Sequence, residues 1–200
     1  MTERQFLWGL SSGVFVLALA GTFWFGLGIS SVLTSNSDWR LWSLSTIIQV
    51  GMLAGLFWFA YKLHKRSGFK SSDFRNADEQ QRTEAQLIRK KFGFTVAVQT
   101  SLIAFGVWWF VNTNAIDLIW PWIAIILSLH FIPLARLFHI RAYYVTGITG
   151  SVIALVAFTG MLKPYSLAYL GVGMAAVMWL SAVYIVCNAD KITSAAIRKT

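Results

Sequence analysis

Long uninterrupted stretches of apolar residues constrain this chain more than any other feature of its sequence. The hydrocarbon core of a bilayer is about 30 Å thick, and a helix needs about 20 apolar residues to cross it. Six stretches of this kind fill most of the 200 residues: 6–29, 41–63, 92–111, 120–138, 142–162 and 165–187. The sequence therefore predicts an all-α integral membrane protein, a six-helix transmembrane bundle that forms a single domain over residues 1–200.

The composition excludes the soluble classes of protein. Charged residues make up 12% of the chain and hydrophobic residues 56%, whereas an average globular protein has about 25% charged residues. The single cysteine and three prolines exclude disulfide-stapled and collagen-like chains. A membrane β-barrel is excluded because the apolar runs are continuous and do not alternate in ten-residue strands.

Two boundaries of these spans need a separate argument. Ala18-Leu19-Ala20 resembles a signal-peptidase site, but the apolar run continues beyond it and the N-terminal segment before the run is only weakly basic. We therefore expect the first span to be retained. Lys163-Pro164 forms almost the whole junction between the last two spans. Since proline just after a helix end is a stop signal, this junction favours two spans over one long bent helix.

Lysine and arginine are distributed unevenly between the two sides of the predicted bundle. The 62–91 segment carries nine of them, and the segments on its side together carry 15 of the 17. The positive-inside rule then places both termini in the cytoplasm. The net charge of +9 is accounted for by topology signals and contacts with anionic lipid headgroups, so nucleic acid is not an expected partner.

Tryptophans mark the outer interface of the predicted bundle. Six of them lie at the outer ends of the second, third and fourth spans: Trp39, Trp42, Trp108, Trp109, Trp120 and Trp122. Tryptophan is enriched where a membrane meets water. This aromatic belt therefore needs no ligand to explain it.

The 64–91 loop is the one extended hydrophilic segment. Asn76 is a candidate N-cap and Glu79 follows at the third helical position, which predicts a helix start. No breaker follows before the third span, so one helix should run from about 77 through 111 and be about 50 Å long. Its cytoplasmic part, 76–91, is either a solvated extension of the helix, anchored by the basic residues 89–91, or a docking surface. The partner docked there would be another protein or a second copy of the chain.

The fourth span carries the main candidate site. His130 lies about 15 Å along the helix from Trp120, near the middle of the bilayer. Pro133, one turn later, cannot donate to the Leu129 carbonyl, so we expect a kink and a free acceptor beside the imidazole. Arg136 is deep enough to need snorkelling or a partner. A broken helix with an ionisable residue is typical of a transporter site, but a neutral His130 bonded to a neighbouring helix explains the residues equally well.

Three further polar residues lie where they could join this site. Gln49 and Gln99 are at comparable depth on the second and third spans, and with His130 they could line a small polar cavity. Each amide alone is better explained as a hydrogen bond between helices. Tyr144 belongs to the inner half of the fifth span, where many side chains are small or polar. Such residues favour close packing of helices over a solvated vestibule.

Enzyme and cofactor hypotheses are weakly supported. The six spans contain no Asp or Glu, which weighs against carriers that depend on an intramembrane carboxylate. Cys187 has no neighbouring histidine to activate it. His130 is the only deep histidine, so paired haem ligation is not expected, and His64 and His139 without carboxylates make a poor metal site. We therefore expect neither a cofactor nor a metal.

The block from His130 to Gly147, HFIPLARLFHIRAYYVTG, resembles one found in small bacterial multi-pass membrane proteins of unknown function. The resemblance covers about eighteen residues firmly and the last two spans loosely. It implies a bacterial plasma membrane and no particular activity. His130, Pro133, Arg136 and Tyr144 all lie within the block.

Three functions remain open on these residues. The leading hypothesis is binding or passage of a small solute or ion at a midplane site around His130, gated by protonation of its imidazole. The alternative is a membrane subunit that does not transport and binds a partner protein through its 76–91 helix. A membrane enzyme acting on lipid ranks third, because the spans have no carboxylate.

Overall fold

The computed structural model describes residues 3–33, 39–68, 79–138, 140–163 and 165–197. Within these ranges there are seven α-helices, six of them long and apolar enough to cross a membrane. They are α1 (Glu3–Leu33), α2 (Trp39–Ser67), α3 (Glu79–Asn112), α4 (Ile119–Phe138), α5 (Arg141–Phe158), α6 (Ser166–Cys187) and α7 (Ala189–Ile197). The prediction of an all-α, six-helix membrane bundle is confirmed, and the chain is a multi-pass membrane protein.

The core of the bundle lies around α1 and α6. α1 packs on α6 and α2, α6 on α5, α5 on α4, and α4 on α3. Leu10, Val14, Leu17 and Ala18 of α1 are at most 1% exposed. The residues before Leu19 therefore form part of the core, and the expected retention of this span stays a prediction.

Small residues let the helices approach closely at two contacts. A Cβ added at Gly28 of α1 would lie 2.8 Å from the backbone nitrogen of Val172 on α6. One added at Gly147 of α5 would lie 2.9 Å from the backbone oxygen of Ser128 on α4. Both distances are shorter than van der Waals contact, so only glycine fits without a shift of the neighbouring backbone.

Two of the helices end at a glycine in the left-handed region. Gly68 follows α2 with φ +57°, and Gly160 follows α5 with φ +70°. Residues other than glycine rarely adopt this conformation, which terminates helices by turning the chain away. The fifth span therefore ends at Phe158, four residues before the predicted boundary at 162, because Gly160 terminates the helix. The predicted break between the last two spans is present, while Pro164 lies outside the described residues.

α3 is continuous from Glu79 to Asn112. Its 34 residues correspond to about 50 Å of helix, so the prediction of one helix longer than the membrane is thick is confirmed. The proposed N-cap Asn76 lies outside the described residues.

Among the described residues there are two exposed ion pairs, and each connects two elements that meet at one end of the bundle. Arg66 at the end of α2 contacts Asp190 of α7 at 2.9 Å, and Lys163 after α5 contacts Asp117 before α4 at 3.4 Å. Exposed pairs of this kind contribute little stability. They nevertheless show that 66 and 190 share one end, whereas 117 and 163 share the other.

The short helix α7 was not predicted from the sequence. It begins two residues after α6 ends, and it packs on α1 and α6. Ala189 and Thr193 are buried whereas Asp190 is exposed. The helix is amphipathic, as expected for a segment at a membrane surface.

Candidate functional site

His130 lies on α4 with its side chain half-buried. Its ring meets the ring of Phe131 edge to face, with 5.9 Å between the centroids. Nδ1 is buried and has no hydrogen-bond partner among the described residues. Buried polar atoms are satisfied in the great majority of cases, so Nδ1 of His130 and the equally unpartnered Nε1 of Trp179 on α6 are exceptions among the described residues.

Pro133 and Arg136 lie on an exposed face of the same helix. α4 runs through Pro133 as one element and ends two residues after Arg136, at Phe138. Proline lacks the amide that would bond to the Leu129 carbonyl. Arg136 is exposed and forms no ion pair with any described residue.

Gln49 is used to join two helices. Its Nε2 donates to the backbone carbonyl of Thr22 on α1 at 3.0 Å, beside Gly26. Since Gly26 has no side chain, the amide of α2 can reach the backbone of α1. This is the interhelical hydrogen bond that the sequence favoured for a single amide in a span.

Gln99 lies on the face of α3 that is directed towards α4. Thr95, Gln99, Ile103 and Gly106 recur every three to four residues and are less exposed than the residues between them. The indole nitrogen of Trp122 on α4 donates to the carbonyl of Leu102 at 3.0 Å and leaves no room for a Cβ at Gly106. The half-buried stripe of α3 therefore lies against α4.

Gln99 lies at a depth similar to that of His130. α3 and α4 are joined by a short connection and run antiparallel, and Gly106 meets Trp122. Gln99 lies seven residues from Gly106, and Leu129 lies seven residues from Trp122 in the same direction across the membrane. Each step is about 1.5 Å, and the Trp122 side chain contacts both Leu102 and Gly106, so Gln99 lies within about one turn of the level of Leu129 and His130.

The three residues proposed to line one cavity do not share hydrogen bonds. Gln49 is on α2, which packs on α1 and α6, while Gln99 is on α3, which packs on α4. No hydrogen bond among the described residues links Gln49, Gln99 and His130. A role in solute binding stays a prediction for each of them.

Tyr143 occupies the position facing α4, and Tyr144 does not. Tyr143 is 5% exposed, and its ring centroid lies 5.7 Å from that of Phe131. Tyr144 is half-buried and packs against the edge of the core. Neighbouring helical residues differ by about 100° around the axis, so only one tyrosine of the pair can point towards Phe131.

A buried hydroxyl pair joins α5 and α6. Oγ1 of Thr146 donates to the Ala142 carbonyl at 2.9 Å and lies 2.6 Å from Oγ of Ser181. Because the Thr146 proton is already used, Ser181 is the donor between the two hydroxyls. The sequence does not single out Thr146 or Ser181, since no pattern along one helix identifies a partner 35 residues away.

Metal ligands do not cluster in the described part of the chain. No group of three or more His, Cys, Asp or Glu residues is placed there to hold an ion. Comparisons with protein-family models, curated proteins and solved structures found no match.

Proposed function

We propose that this multi-pass membrane protein binds or passes a small polar solute or ion at a midplane site around His130. The observation that carries the proposal is the buried Nδ1 of His130, which has no partner among the described residues. An unsatisfied buried nitrogen costs free energy that a bound solute or water would recover.

Two neighbouring groups support a polar ligand at this depth. Gln99 lies within about one turn of the level of His130 on the adjacent helix, and Pro133 leaves the Leu129 carbonyl without its usual helical donor. Imidazole, amide and carbonyl together offer both donors and acceptors. This chemistry suits a small neutral polar solute or a proton.

The protein is proposed to lie in a bacterial plasma membrane with both termini in the cytoplasm. The resemblance of the 130–147 block favours the bacterial setting. The positive-inside rule favours the orientation, because 15 of the 17 lysines and arginines belong to segments on one side.

Native mass spectrometry on protein extracted gently from its own membrane tests the binding site. We expect a reproducible small adduct that His130→Gln loses. His64→Gln is the matched control, because His64 is exposed near the end of α2, and it should retain the adduct. An adduct that survives His130→Gln would contradict the site.

A second function is favoured by the exposure of α2 and α3. In the apolar 18-residue stretch of each span, 11% is buried in α2 and 6% in α3, against 39–50% in the other four spans. Surfaces this open are available to a partner protein in the membrane, as a subunit would require. Deleting 76–91 separates the two functions: a subunit should lose its complex, whereas a transporter should keep most of its flux.

A further inference from the structure

One face of α2 near its C-terminal end carries aromatic side chains followed by basic ones. Trp58 is followed three and four residues later by Tyr61 and Lys62, and one turn after these by Lys65 and Arg66. They line an open cavity of about 430 Å³. We call this surface the α2 groove.

The α2 groove points away from the protein core. Trp58 is 68% and Tyr61 61% exposed, whereas Leu56, Ala60 and Leu63 of the same helix are buried. α2 packs on α1 and α6 through that buried side. The groove is therefore open to the lipid around the bundle.

The charge of the α2 groove is largely uncompensated. Arg66 contacts Asp190 at 2.9 Å, but neither Lys62 nor Lys65 has an acidic partner among the described residues. The basic groups begin one turn after Trp58, at Lys62, and extend over about 6 Å of helix to Arg66. Rings thus lie deeper in the bilayer, and cations lie nearer its surface.

We propose that the α2 groove binds one phospholipid with an anionic headgroup. Lys62 and Lys65 contact the phosphate and headgroup, while Trp58 and Tyr61 pack along the glycerol and upper acyl chain. Aromatic residues favour this interfacial depth, and cations there attract anionic lipids. A soluble anion would use the cations but would leave the two exposed rings without a role. This site is independent of the proposed site at His130.

The test is native mass spectrometry of the full chain in detergent with added lipid. The probes are phosphatidylglycerol, phosphatidylcholine and inorganic phosphate, each at the same concentration. We expect the wild type to retain phosphatidylglycerol preferentially. Lys62→Gln with Lys65→Gln should weaken that binding about tenfold, and Trp58→Leu should weaken it by a smaller factor.

Lys90→Gln with Lys91→Gln is the matched control. It removes the same charge from exposed positions of α3, so it should leave phosphatidylglycerol binding almost unchanged. Equal loss in the two double variants would overturn the proposal, as would competition by inorganic phosphate at equal concentration. Unchanged binding in both groove variants would overturn it too. The helical circular dichroism of each variant is checked first, and Trp58→Leu provides the test if the lysine variant does not fold.

Discussion

Gly28 shows how a single residue can determine the distance between two helices. The backbones of α1 and α6 meet there, with Gly171 directly opposite. We expect Gly28→Ala to destabilise the protein by about 1–3 kcal/mol, because the added methyl group meets backbone that can yield only by moving a helix. Thermal unfolding in detergent measures the change.

Gly9→Ala in the same helix is the control for this substitution. A Cβ at Gly9 would meet no atom within 4 Å. Alanine is the better helix former by about 1 kcal/mol, so this variant should be as stable as the wild type or more stable. Equal destabilisation by both substitutions would contradict the packing argument.

The buried hydroxyls of Thr146 and Ser181 should be energetically coupled. A double-mutant cycle with Thr146→Val and Ser181→Ala is expected to give a coupling of about 0.6–1.7 kcal/mol, the range measured for hydrogen bonds between membrane helices. Unfolding in detergent of the wild type, the two single variants and the double variant provides the four free energies. Strictly additive effects would mean that the 2.6 Å contact contributes no stability.

The two glutamines should respond differently to the same substitution. Gln49→Leu removes the hydrogen bond to the Thr22 carbonyl and should lower the free energy of unfolding by about 0.6–2 kcal/mol. Gln99→Leu removes no hydrogen bond to a described residue, so stability should hardly change while solute binding weakens. Measured together, unfolding and adduct retention distinguish a structural amide from a binding one. A larger loss of stability in Gln99→Leu would reverse these assignments.

At the scale of the helices, α1 is both an apolar span and a main contributor to the core. Its first half supplies core residues, including Leu10 and Leu17 at 1% exposure. We expect the intact mass of protein purified from the membrane to include residues 1–20, because their removal would expose the facing side of α6. A mass corresponding to cleavage after Ala20 would contradict this.

His130 lies within α4, so its proposed role as a gate depends on how this helix responds to protonation of the imidazole. If protonation opens a path along α4, proton flux into liposomes should differ between about pH 5.5 and about pH 8, on either side of the usual imidazole range. His130→Gln should abolish that difference, and His64→Gln should preserve it. Equal flux by the wild type and His130→Gln at both pH values would exclude gating.

At the scale of the whole molecule, orientation follows from charge. Cys187 is the only cysteine, so Cys187→Ser provides a background for introduced thiols. A membrane-impermeant maleimide should label Thr113→Cys from outside the cell and Ser194→Cys only in inverted vesicles, because these exposed residues lie at opposite ends of the bundle. The reverse pattern would contradict the positive-inside assignment.

The sequence by itself determined the class of fold, the number of spans and the length of α3. These properties follow from local apolar content and from helix signals, which act over one stretch of chain. Gly160 is a local signal of the same kind, and it ends the fifth span before the boundary predicted from apolar length. α7 was missed because nine residues are too few to stand out from the end of a long apolar span.

Only the tertiary structure decided which polar residues have partners. The Thr22 carbonyl that receives the Gln49 amide, the hydroxyl of Ser181 beside Thr146, and the unpartnered Nδ1 of His130 all depend on how distant helices approach and rotate. In a membrane, apolar residues cover nearly every face of a helix, so periodicity alone does not identify the face that meets a neighbour. Close packing of small residues such as Gly28 and Gly147 resolves that ambiguity, and it is a property of pairs of helices.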